Sequence, residues 1–187
     1  MMHHIDVSSV LHQTLACDLY SNLVTRSTGA AVRDQIETLL EECDDRPLAV
    51  IDFSHVSMID FSCADEVVAK LLLRYANDDA PREAYFLFRG VTERHWDAIE
   101  AVLERHGLAL ALESPDGVRL MGVLEDDERR VWELANRVGR VDAAGVARAT
   151  NAEPRDAQGV LESLCRRRLL MRVDDRYVVV GSSDATH

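Results

Sequence analysis

Lysine is almost missing from this chain of 187 residues: Lys70 is the only one, and arginine supplies the rest of the 21 basic side chains. That bias reads as genome composition rather than function. No apolar run approaches the roughly 20 residues that a membrane-spanning helix needs. The start, "MMHHIDVSSVLHQ", lacks the basic head and apolar centre of a secretory signal, so a cytoplasmic address is expected and no membrane partner. Cys17, Cys43, Cys63 and Cys165 show no CxxC or other metal-ligand spacing. They are expected to be free thiols, buried or half-buried, not a disulfide framework. There is no GxSxG elbow, no glycine-rich oxyanion loop, no GxxxxGK[ST] and no GxGxxG. His3, His4, His95 and His106 share no ligand spacing with carboxylates or thiols. No metal, no cofactor and no enzymatic activity are therefore expected.

What is present is an ordinary globular composition, with 47% apolar and 29% charged residues, and a strong negative charge of −12. The charge is uneven. Residues 1–124 hold ten Lys and Arg against twenty-one Asp and Glu, a net of −11; residues 125–187 hold eleven against twelve, a net of −1. An acidic body repels nucleic acid, so only the C-terminal third is a candidate for touching DNA.

The first two-thirds alternate between two periods. "HIDVSSVL" is a weak first strand, and "AAVRDQIETLLEEC" places Val32, Ile36, Leu39 and Leu40 at helical spacing, with Ser27 or Thr28 as cap. "PLAVIDF" and "AYFLFRGV" are continuous apolar runs of strand length, as expected for strands covered on both faces. A helix from about Ser62 aligns Ala64, Val67, Val68, Leu71, Leu72 and Tyr75. "TERHWDAIEAVLERHG" is a helix capped by Thr92 and stopped by Gly107, and "LALALES" and "VRLMGVL" form a hairpin. This order predicts an α/β sheet with crossover helices.

The pattern changes near Leu124–Asp126. "EDDERRVWELANRVGR" is a helix with Val131, Leu134, Ala135 and Val138 inward, "VDAAGVARAT" a short second one, and "RDAQGVLESLCRRRLL" a third, entered through Pro154. "MRVDDRYVVV" folds back at Asp174-Asp175 as a two-stranded ribbon, and "GSSDATH" reads as a frayed tail. Two units are expected, 1–124 and 125–187, separable by proteolysis at the joint.

At "VIDFSHVSMIDFSCADE" a serine stands where a strand hands over to a helix, with Asp52, Asp60, Asp65 and Glu66 nearby. Ser62-x-x-Asp65 fits a capping box, with Asp65 and Glu66 in the favourable field of the helix start. A nucleophilic Ser62 or Cys63 would need a base such as His55, but four carboxylates oppose a developing oxyanion. Capping and a regulatory role both remain open from these residues.

A buried "VIDFS", then "VSMID", then a small polar residue opening a helix resembles the STAS domain of anti-sigma factor antagonists, over residues 1–124. In that family the corresponding serine is phosphorylated by an anti-sigma kinase, and the phosphate releases the partner. The resemblance implies that Asp60 matches the family's aspartate and Ser62 its phosphorylated serine, with Asp65 on the same docking face. It also implies an anti-sigma factor or kinase-like ATPase as protein partner. The chain departs from the family at Cys63-Ala64-Asp65-Glu66, where glycines follow the serine; this "ADE" is closer to STAS-like relatives of uncharacterised function.

The C-terminal order of helix, short helix, turn, helix and ribbon resembles a winged helix-turn-helix, a small α+β unit. Its third helix would read DNA with Arg155 and Gln158 near its start, while Arg166, Arg168 and Arg172 suit phosphates. Glu153, Asp156, Glu162, Asp174 and Asp175 oppose that use. The reading reached is a non-enzymatic regulator in which a STAS-like domain binds a protein and a winged helix gives the output. The alternative is a homodimeric DNA-binding transcription regulator whose α/β domain serves dimerisation or sensing.

Overall fold

A computed structural model describes residues 2–7, 10, 22–43, 48–77 and 79–182. Cys17, Pro47, parts of "HIDVSSVL" and the last five residues of the expected tail lie outside the described residues. The first strand, β1 (Met2–Asp6), is followed by β2 (Asn22–Leu23), α1 (Arg26–Glu41), β3 (Leu48–Asp52) and β4 (Met58–Ile59). Three consecutive helical segments, Phe61–Ala64, Asp65–Lys70 and Leu71–Tyr75, form α2. Then come β5 (Tyr85–Arg89), α3 (Glu93–His106), β6 (Ala109–Ser114) and β7 (Gly117–Gly122).

The main sheet has the order β1-β3-β5-β6-β7. β1, β3, β5 and β6 pair in parallel, and β6 and β7 form the antiparallel hairpin that their sequence announces. The chain is thus a mixed α/β protein with a mostly parallel central sheet. Because the parallel strands advance in one direction, right-handed crossovers put every crossover helix on one face. Period-two alternation then sorts the side chains. Ala49, Ile51, Phe86, Phe88, Leu110 and Leu112 face α1, α2 and α3, where Ile36, Val67 and Ile99 meet them.

The opposite face carries Leu48, Val50, Tyr85, Leu87, Ala109, Ala111 and Val118. A parallel sheet is stable only with both faces covered. The C-terminal segment supplies that cover: α4 (Asp126–Val138), β8 (Arg140–Val141), α5 (Ala143–Thr150), α6 (Pro154–Arg166), β9 (Leu170–Val173) and β10 (Arg176–Val179). Its Val131, Trp132, Leu161, Leu164 and Val178 belong to the same continuous apolar cluster as that sheet face. Gly181 lies so close to Leu87 that an added Cβ would stand 2.8 Å from its methyls. Asn136 Nδ2 donates to the Val118 carbonyl across the contact at 3.1 Å.

Two expectations about this segment need correction. The ribbon has three strands, in the order β8-β10-β9, because a two-residue β8 too short to show any period joins the hairpin. Val138 is not inward but 59% exposed. It is the last residue of α4, and Gly139, at φ +91°, turns the chain away, so the side chain overhangs the contact. Trp132 fills the inward role, its indole N–H donating to the Leu169 carbonyl at 3.3 Å. Among the described residues, no helix is long and apolar enough to cross a membrane.

Candidate functional site

The junction read in the sequence is built by a short parallel pair, β2 with β4, in register Leu23 with Ile59. The Asp60 amide donates to the Leu23 carbonyl at 2.8 Å, which fixes where α2 begins. Asp60 is extended (φ −90°, ψ 170°), and its Oδ1 accepts from the Cys63 amide at 2.8 Å. The same oxygen accepts from Ser62 Oγ at 2.9 Å. Asp60, not Ser62, is therefore the cap. Ser62 already has its place inside the first turn, and a carboxylate is the stronger acceptor for an orphan amide. The expected capping box of Ser62 with Asp65 is not formed. Asp60→Ala should cost about 1 kcal/mol in urea unfolding, and Ser62→Ala a fraction of that. A larger loss for Ser62→Ala would return the cap to the serine.

The middle segment of α2, Asp65–Lys70, is a π-helix. Such wide turns are rare and often occur at functional sites. Here the turn carries a buried run from Cys63 to Ala69, so that Asp65 and Glu66 are inward, 6% and 2% exposed. The sequence suggested two carboxylates in the field of the helix start; the structure instead gives them cations. Arg26 Nη1 donates to Asp65 and to Glu66, both at 2.8 Å. Arg33 donates to Glu66 at 2.6 Å, Lys70 also bonds Glu66, and His106 Nε2 lies 2.8 Å from Asp65 Oδ1. Burial pushes both carboxyls up, but these hydrogen bonds and charges outweigh it and hold both below their ordinary values.

Arg26 reaches the pair because α1 starts directly against α2. Cys63 Sγ donates to the Thr25 carbonyl at 2.7 Å, and a Cβ on Gly29 would come within 2.9 Å of Cys63 Cα. Only glycine allows that approach. Thr25, accepting from the Thr28 amide, caps α1 in place of the expected Ser27 or Thr28. Sequence reasoning missed Arg26, Arg33 and Lys70. The signal was there only in part, as Lys70 stands one helical turn beyond Glu66.

The other polar groups near the junction go elsewhere. Asp52 ends β3 on the far face of the sheet, 2.8 Å from Arg89 Nε and 2.8 Å from His4 Nε2. Burial raises its carboxyl, yet the bonds from Ser54, His4 and Arg89 prevail and depress it. His55 pairs with Asp6 at 3.3 Å and not with Ser62. Burial foremost, with Asp60 nearby, pushes the Cys63 thiol up to about 12, so it is no ready nucleophile. His95, 1% exposed, donates from Nε2 to the Val56 carbonyl at 2.8 Å and accepts at Nδ1 from the Thr92 amide at 3.1 Å. It completes the α3 capping box as a neutral ring. Around Asp60 the surface is apolar: Val24, Met58 and Phe61 are 40%, 47% and 37% exposed. The Arg105 guanidinium lies over the Phe61 ring, 5.6 Å from its centre.

The arginines of the C-terminal segment divide by the side they face. Arg155 and Arg166 are exposed on α6. Gln158 is tied to Glu162 at 2.6 Å and to the Tyr177 hydroxyl at 2.9 Å. Arg172 reaches the Asp174 carbonyl and Asp175 at the ribbon turn. Arg168 is committed inward: its Nε donates to the Tyr75 carbonyl at 2.8 Å, and its guanidinium lies over the Tyr85 ring. Arg167 bonds buried Glu128 and the carbonyls of Gly107 and Val123. The run Arg166-Arg167-Arg168 was legible in the sequence, but not that two of the three clamp the layers together.

Among the described residues no cluster of three or more His, Cys, Asp or Glu is arranged to hold a metal. No protein-family model matches the chain, and no curated protein matches it.

Proposed function

We propose that this chain is a non-enzymatic regulatory protein whose α/β layer docks a protein partner around Asp60, Ser62 and the start of α2. The resemblance of residues 1–124 to STAS domains points to an anti-sigma factor or kinase-like ATPase as that partner, in the cytoplasm. The observation that carries the reading is the surface around Asp60. Exposed Val24, Met58 and Phe61 rim a helix start whose polar groups are already paired with one another. Apolar side chains around satisfied polar groups suit association, which needs desolvation without stranded charges. The Ser62 hydroxyl donates to Asp60, and the same carboxylate oxygen accepts from the Cys63 amide, so this carboxylate serves the start of the helix. Asp65 supports the face from beneath, through Arg26 and His106. The C-terminal segment, winged-helix-like in its element order, is the output surface in this proposal.

A photo-crosslinking residue at Phe61 tests the docking face in the native host. A discrete protein adduct is expected at position 61, and none at Val123, an equally exposed apolar position (40%) away from the junction. Equal labelling at both sites, or none at 61, would overturn the docking face.

A further inference from the structure

We propose that His95 is an acid-released latch on the docking face, whose protonation frees the segment 55–58 and with it Met58. The consequence for binding rests on the docking face proposed above; the latch itself rests on the geometry around the ring.

His95 joins two loops that leave neighbouring parallel strands. Its Nε2 donates at 2.8 Å to the carbonyl of Val56, in the loop between β3 and β4. Its Nδ1 accepts at 3.1 Å from the amide of Thr92, in the loop between β5 and α3. The two bonds together need the neutral tautomer with its proton on Nε2. The buried ring lies against Phe53, with the ring centres 5.9 Å apart. An imidazolium there would aim a second N–H at the Thr92 amide, donor against donor, and would be a buried charge.

The carboxylates around the ring are committed elsewhere. Asp52, at the end of β3, serves Ser54, His4 and Arg89, and Asp60, at the start of α2, serves Cys63 and Ser62. His55, in the same loop as Val56, turns to Asp6. On α3 itself Glu93 and Asp97 are exposed, and the charge felt at the ring is that of Arg94, which repels an imidazolium. In acid the ring is hydrated only by leaving its slot, and it then abandons the carbonyl of buried Val56.

The release is local because the chain is pinned on both sides of the latch. Upstream, the Phe53 amide donates to the Arg89 carbonyl at 2.9 Å. Gly90, at φ +67°, fits so tightly there that an added Cβ would stand 2.7 Å from Ser54 Cα. Downstream, the Asp60 amide is held by the Leu23 carbonyl at 2.8 Å. Met58 lies between these pins, at the first position of the two-residue β4, so its pairing with Asn22 frays first when Val56 is let go. Met58 is one of the exposed apolar side chains of the docking face, so the latch orders part of that face.

Amide exchange of the full-length protein, resolved by NMR, tests the latch. Burial, helped by Arg94, lowers the proton affinity of the folded ring. The latch is therefore fully closed above the unfolded value, about 6.5, and loosens as pH falls toward the lower folded one. Between about pH 7.5 and about pH 5.5, exchange at Val56 and Thr92, corrected for intrinsic rates, should rise by up to about tenfold per pH unit below 6.5. Phe53 and Asp60, the two pins, should stay protected over the same interval. His95→Gln keeps an N–H for the Val56 carbonyl and takes up no proton, so its Val56 amide should not respond to acid. His55→Gln removes the other imidazole of the loop and should respond like the parent, whether or not His95→Gln folds. Unchanged exchange at Val56 in the parent overturns the latch. Loss of the response in His55→Gln assigns it to the His55–Asp6 pair, and equal loss of protection at Val56, Phe53 and Asp60 makes His95 a part of the core only; either result overturns the latch too. The photo-adduct at Phe61 reads binding separately and should weaken in host lysate at about pH 5.5. An adduct of unchanged yield while Val56 is released overturns the control of docking. Absence of the adduct even at about pH 7.5 overturns the docking face, and amide exchange then still decides the latch.

Discussion

Cutting the chain after Leu124 should leave residues 1–124 as an aggregating, dye-binding fragment and not as an independent domain. The cut removes the whole cover of one sheet face. Leu48, Val50, Tyr85 and Leu87, now 4%, 3%, 1% and 2% exposed, would meet water together with Ala109, Ala111 and Val118. Burying one large apolar side chain is worth about 1.5–3 kcal/mol, so losing this set costs on the order of 10 kcal/mol. That is as large as the whole stability of a typical domain. A contiguous apolar face of that size on a sheet also invites association.

The joint is polar as well as apolar, which makes the loss specific. Arg167 ties buried Glu128 to the carbonyls of Gly107 and Val123, and Arg168 ties α6 to the end of α2. Co-expressing residues 125–187 as a separate chain should therefore rescue the solubility of 1–124. A soluble, cooperatively unfolding 1–124 that binds no hydrophobic dye would show that the shared cluster is dispensable. The change in charge and period at Leu124–Asp126 marks where the architecture changes, from crossover units to the covering layer.

How much of this was legible follows from the length scale of each signal. "LAVID" and "YFLFR" read as doubly covered strands because every residue of the first and all but the last of the second are buried, which needs apolar side chains on both faces. The same fact implied a second layer, but the sequence does not say that the last third supplies it, since coverage is a contact between distant segments. The caps show the limit at short range. Asp60 and Ser62 are two residues apart, both can cap, and register with β2 decides between them. The buried pair shows the limit at long range. Asp65 and Glu66 look like ordinary first-turn acids until α1 brings Arg26 and Arg33 from 40 and 33 residues before Glu66 in the chain. Arg168 looked like a phosphate contact because nothing local reveals Tyr75 and Tyr85 as its partners.

That buried pair yields the second large effect. Glu66→Gln keeps the shape of the side chain and removes its charge, leaving Arg26, Arg33 and Lys70 around a neutral amide. Breaking a buried ion cluster from one side costs about 3 kcal/mol or more, here moderated because Arg26 and Lys70 can turn to solvent. At neutral pH the melting temperature should fall by several degrees, at roughly 2–4 °C per kcal/mol for a chain of this size. The pH dependence separates lost charge from lost packing. Burial raises the Glu66 carboxyl, but Lys70 and Arg26 lower it further, so the folded protein holds its proton less tightly than the unfolded chain. Its stabilisation is then complete above the unfolded value, about 4.3, and is lost as pH falls through the lower folded value. Asp65 and Asp52 titrate in the same sense, Glu37 in the opposite one because burial raises it, and all three are common to both proteins. His95, pushed down chiefly by burial, weakens both proteins already as pH falls below about 6.5. The two stability curves should therefore run parallel down to about pH 5 and converge in stronger acid. Curves that stay parallel throughout would show that Glu66 acts by packing alone, and that the cations around it contribute nothing through its charge.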